Sequence, residues 1–161
     1  GIAAVGMGAV VLRRRSGARH FVHAEELPDR PQRQSSDHLL AMLAAQDVLA
    51  GAGEGQVPLD LRLRASPHHR VEQRLAPAEG GYRLEEARLR LDHGLGFDGV
   101  VDGHALELLR LCDGSRPLGD AVGELCKDGR AERSTALAVA RQFLAMGFLI
   151  LADRNQEGGR S

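Results

Sequence analysis

The chain has 161 residues, 43% of them hydrophobic and 27% charged, with a formal net charge of −1. That length supports one good core, or one core and an incomplete second, and the near-neutral balance excludes the strong basic footprint of a typical nucleic-acid binder. The apolar run at residues 2–12 is too short to span a membrane, which takes about 20 residues. Its charges, Arg13, Arg14 and Arg15, follow the run, the reverse of a secretory signal.

In chain order, residues 1–27 read as the terminal strands of a truncated α/β domain: an interior strand at 2–12, a turn at Ser16-Gly17 and a return strand at 18–24. Residues 28–68 read as a linker and a connecting helix. The linker is polar and rich in Arg, Gln and Pro. Ser36 then caps a helix over 37–50, with Leu39, Leu40, Met42, Leu43 and Val48 apolar, and the Gly-containing stretch 51–55 ends it.

Residues 69–153 form the most structured stretch. Val71, Gln73 and Leu75 alternate with Glu72 and Arg74, Gly80-Gly81 makes a turn, and the alternation resumes from Tyr82 with a change of face that predicts a bulge near Glu86. A further strand is expected over 97–101. Asp102 caps a first helix carrying Ala105, Leu106, Leu108, Leu109, Leu111 and Cys112, stopped at Asp113-Gly114. Ser115 is expected to cap a second, with Pro117 in its first turn and Leu118, Ala121, Val122 and Leu125 on one face. A third begins near Arg130, buries Ala136, Val139, Ala140, Phe143 and Leu144, and ends at Gly147 as a left-handed cap. Residues 148–151 complete the unit as a wing strand, and 154–161 read as a disordered tail. The fold class is therefore α+β: a winged helix with a small antiparallel sheet, preceded by a β-hairpin and a helix from a neighbouring domain.

Few residues carry a chemical signature. Gly6 and Gly8 are half of a phosphate loop, without the third glycine and following helix that a dinucleotide site needs. His20 and His23 would sit on opposite faces of a strand, and His68 and His69 have no cysteine near them in sequence, so exposed histidines are a better reading than zinc ligands. Cys112 and Cys126 lie on apolar helical faces and suit reduced thiols of a cytoplasmic protein. Ser66, Ser115 and Ser134 fit no nucleophile motif. No residue is thus assigned as catalytic, cofactor-binding or metal-ligating. The candidate partner-binding residues are Arg130, Arg133 and Arg141, which fall within an arc of about 80° if the third helix begins near Arg130. That is the side a winged helix offers to phosphates, but Glu124, Asp128 and Glu132 oppose such binding, so a salt-paired face or an acidic peptide competes with nucleic acid there.

Cys112-Asp113-Gly114 with Leu118, together with Phe143-Leu144 and Gly147-Phe148-Leu149, resembles the winged helices of the pyrroloquinoline-quinone chaperone and peptide-recognition-element family. That likeness covers about the last 60 residues and implies binding of a precursor peptide, as a strand beside the small sheet and against the third helix. A second resemblance rests on the opening IAAVGMGAVVLRRRSG and on the order of linker, helix and winged-helix-like region. It is similar to the C-terminal region of actinobacterial class I S-adenosylmethionine-dependent methyltransferases of the small-methyltransferase type. This implies a non-catalytic accessory region that recognises or positions substrate, with an N-terminal catalytic domain of the same protein as partner. S-adenosylmethionine would be a cofactor of the parent protein. The acidic-Gly-x-Gly-x-Gly loop and the Asn/Asp-Pro-Pro-aromatic motif of that family are absent from this sequence, so the resemblance carries no activity onto any residue. A DNA-binding regulator is the third reading. No membrane partner is expected.

Overall fold

The computed structural model describes residues 11, 14, 35–53, 55–129 and 131–152. The expected opening hairpin, most of the linker and the tail lie outside the described residues, as does Arg130. Among those described, four helices and six strands make an α+β fold. One three-stranded antiparallel sheet has the order β5-β1-β6, from Asp113–Pro117, Arg62–Ala65 and Leu149–Leu151. The other has the order β2-β3-β4, from His69–Ala78, Gly81–Leu91 and Asp98–Val101. The helices are α1 (Ser35–Ala52), α2 (Gly103–Leu111), α3 (Leu118–Leu125) and α4 (Arg133–Met146).

From α2 onward the order is helix, strand, helix, helix, strand, which fits the expected winged helix in its coarse outline. One strand comes from elsewhere: β1, from a stretch read as linker, sits between β5 and β6, pairing Arg64 with both Asp113 and Ile150. Its signal is the short alternation Leu61-Arg62-Leu63-Arg64-Ala65, in which Leu63 is fully buried.

Caps explain the helix ends. Asp102 accepts from the Ala105 N–H at 2.8 Å and starts α2 as expected. Gly147, at φ 79°, ends α4 in the left-handed region where a Cβ is disfavoured. Ser115 departs from expectation. It lies in β5, with its hydroxyl and N–H both directed to Asp113 Oδ1 at 2.6 and 2.8 Å, and α3 starts only at Leu118. The backbone supplies the cap instead: Leu118 N–H donates to Leu61 O and Gly119 N–H to Leu59 O, satisfying two of the donors left over at a helix start. The third helix also starts later than its pattern suggested, at Arg133 after Glu132.

The β2-β3 hairpin closes at Glu79-Gly80 and carries a register shift between Arg74 and Leu75, opposite Glu86 and Leu84, where the change of face predicted a bulge. Its base is buried through Ala87, Leu89 and Leu91. Its far end projects from the core.

Helix α1 belongs to this same core. Met42, Ala45 and Leu49 are buried in one cluster with Leu89, Leu91, Leu108, Val122, Leu144 and Leu149, and each such Leu or Met contributes about 1.5–3 kcal/mol by leaving water. His38 holds the docked helix in place. Its Nδ1 accepts the Leu95 N–H at 2.9 Å, so its Nε2 carries the proton donated to Met146 O at 2.8 Å. The ring lies edge-on to Phe97 at 5.6 Å and between Gly94 and Gly147, where any Cβ would run into it.

Candidate functional site

An open groove of about 490 Å³ lies where the base of β2 meets α2. Ala65, Val71, Leu106, Leu109 and Cys112 make its apolar lining, and Arg64, His69, Arg110 and Asp113 its polar rim. The lining follows from local structure. Period 2 along β2 puts His69 and Val71 on the face shared with Leu91 and Leu89, while Leu106 and Leu109 are three apart on α2 and so share one side.

Two of the rim charges, Arg110 and Asp113, are held by their neighbours. Arg110 grips Glu107 through Nε at 2.9 Å and through its terminal nitrogen; the hydrogen bond holds the Glu107 carboxyl below its usual range and Arg110 above its own. Hydrogen bonds from Ser115, side chain and then backbone, lower Asp113. Burial pushes the Cys112 thiol up to about 11, with the Asp113 charge adding to it. At neutral pH Cys112 is thus a protonated, apolar wall of the groove rather than a thiolate nucleophile.

The groove opens beside a strand edge that is unpaired among the described residues, because β2 is the outer strand of its sheet. Leu91 N–H donates to Phe97 O and Asp92 N–H to His68 O. Odd-numbered residues at the base of β3 therefore turn their backbone toward β4, and even-numbered ones toward β2. By the antiparallel alternation, Val71 and Gln73 on β2 turn their N–H and C=O outward. An extended segment laid here would find backbone partners on one side and apolar surface on the other.

The sequence-derived candidates fall elsewhere. Arg133 is exposed at the start of α4. Arg141 is half-buried, its Nε taking no hydrogen bond among the described residues. Helix α4 begins at Arg133, and Arg130 lies outside the described residues. Helix α1 packs on α4 and on β6, while Arg133, Ser134, Thr135, Ala138 and Gln142 keep another side of α4 exposed. His68 stacks on His93 at 4.3 Å, and both are exposed. Cys126 is a half-buried free thiol and Cys112 a buried one. Among the described residues no group of three His, Cys, Asp or Glu could hold a metal ion, and no helix is long and apolar enough to cross a membrane. Sequence reasoning missed Arg64 and Ala65 as groove residues, although the alternation over 61–65 carried the signal.

No family model matches this chain, and no curated protein does.

Proposed function

We propose that this chain is a non-catalytic recognition region of a methyltransferase-like protein, which holds an extended polypeptide segment of the substrate beside β2. The observation that carries the reading is the groove: backbone groups of Val71 and Gln73 face outward next to an apolar hollow walled by Leu106 and Leu109. Strand addition takes affinity from such an edge and selectivity from such a hollow. The methyltransferase context is supported by the resemblance of residues 2–17, and S-adenosylmethionine belongs in this reading to the catalytic domain. Free Cys112 and Cys126 support a cytoplasmic setting.

The reading places the segment on β2 and α2, where the apolar hollow and the outward-facing backbone groups lie side by side. Binding of a precursor peptide, the alternative resemblance, would use the same edge. The two separate on the coding frame around the chain: a cofactor loop and an Asn-Pro-Pro-aromatic motif upstream favour the first, and a free-standing frame beside a radical enzyme and a short precursor favours the second. Selection of random peptides on the immobilised chain tests the groove itself. Enriched peptides should lose binding to Val71→Lys and Leu106→Lys variants that keep the native circular dichroism. Peptides that bind both variants unchanged would refute the assignment.

A further inference from the structure

The β2 edge is closed at its two ends and open between them. Natural edges are blunted by charge, proline or cover. Pro77, with no N–H, closes the outward-facing row at one end, and His69, whose N–H is taken by Ser66 O at 3.2 Å, closes it at the other. Between them Val71, Gln73 and Leu75 face outward, a row symmetric about Gln73. Arg70 pairs with Asp92 at 2.8 Å, and Arg88 with Asp98 at 3.1 Å. Glu72 and Arg74 take no ion-pair partner among the described residues. Beyond the bulge the face shared with Val71 stays apolar but uncovered, with Leu75 53% and Tyr82 75% exposed.

We propose that β2 is the interface of a twofold dimer, in which the strand pairs antiparallel with β2 of a second copy about Gln73. In that register Glu72 lies opposite Arg74 of the second copy, Arg74 opposite its Glu72, and Val71 opposite its Leu75. The outward row is used in full, with on the order of six backbone hydrogen bonds. Neighbouring registers that keep the hydrogen-bond phase fail on charge. Centring the pair on Glu72 sets Glu72 against itself and Arg70 against Arg74, and centring it on Arg74 sets Arg74 against itself; like charges directly opposite are destabilising. Centring on Val71 pairs Glu72 with Arg70 but runs into the occupied N–H of His69. The twofold axis also brings the hairpin tip of each copy, with Leu75 and Pro77, over the groove beside His69 and Val71 of the other. This covers two apolar surfaces at once.

Self-pairing goes beyond the substrate reading and stands without it, although both use one edge, so a bound segment and a second copy exclude each other. The test uses the full chain. Sedimentation equilibrium at tens of micromolar should give twice the 17.3 kDa chain mass, and Gln73→Pro, which removes an N–H unused within one copy, should return it to the single mass with its circular dichroism kept. In a Cys126→Ser background, Gln73→Cys should cross-link under mild oxidation about tenfold faster than Ala76→Cys, since only position 73 meets itself at a disulfide-compatible spacing. A chain that sediments as a monomer overturns the proposal. So does a dimer in which position 73 cross-links no faster than position 76, because association then runs through another surface. Peptides that bind at the groove without lowering the sedimenting mass also overturn it, whereas failure to select any peptide bears only on the substrate reading.

Discussion

His38 of α1 and Gly147 at the end of α4 occupy one space: the imidazole lies where a Cβ of residue 147 would stand, and its Nε2–H reaches Met146 O at 2.8 Å. Gly147→Ala therefore meets two costs, about 1–2 kcal/mol for a left-handed backbone and about 1–3 kcal/mol for overpacking against the ring. Gly129, at φ 66° with open space around it, carries only the first. Denaturant unfolding should rank Gly147→Ala as clearly more destabilising than Gly129→Ala. Equal losses would mean that the His38 ring does not fill that space.

The same histidine makes stability depend on pH. Burial lowers the His38 pKa below its ordinary value, against the opposing pull of the Met146 carbonyl, and protonation of Nδ1 would also break the bond from Leu95 N–H. Its contribution is then fully present above the unfolded pKa of about 6.5 and is lost as pH falls from there through the lower folded value. His38→Gln should be less stable than the native chain at pH 7.5, with the gap narrowing as the medium is acidified below about 6.5. A gap independent of pH would contradict a buried neutral imidazole.

Because α1 shares the core, truncating it should be felt throughout the described fold. Leu49→Ala, at a buried position, should cost about 2–5 kcal/mol, whereas Leu40→Ala, at a site 61% exposed, should stay within about 0.5 kcal/mol. Hydrogen exchange gives the sharper readout. Leu49→Ala should speed exchange at Leu108 and Leu149 as well as within α1. Acceleration confined to α1 would show that the helix docks independently.

A helix, strand, helix, helix, strand order invites a DNA-binding reading, and the charges argue the other way. Glu132 stands next to Arg133, and Arg141 is half-buried, so duplex affinity at physiological salt should be weak. Were the surface a phosphate reader, replacing Arg130, Arg133 and Arg141 by Ala would flatten the salt dependence by up to about 3 in log–log slope. Anisotropy titration of a labelled duplex should show no such change.

Much of this fold was legible because its signals are local. Asp102 and Gly147 mark helix ends by their own chemistry, and the bulge opposite Arg74 showed as a change of face along β3. What escaped depended on distant partners. The Cys112-Asp113-Gly114 turn runs into a strand because β1 lies alongside to pair with it, and the cap of α3 comes from the Leu59 and Leu61 carbonyls rather than from Ser115. Helix α1 looked like part of another domain since nothing in its own sequence names Leu95 or Met146 as the partners of His38. For the groove, the α2 wall was readable from Leu106 and Leu109; the hollow exists only because β1 and the base of β2 converge on it.

Amide shift mapping on the isotope-labelled chain, titrated with a peptide selected on it, tests the recognition reading most directly. Perturbations should concentrate at Ala65, His69, Val71, Gln73, Leu106 and Leu109, with slowed exchange of the outward-facing Val71 and Gln73 amides as a strand is added. Val71→Lys should weaken the peptide by at least about tenfold, equivalent to 1.4 kcal/mol. Perturbations centred instead on the exposed face of α4 around Arg133, with β2 silent, would contradict it.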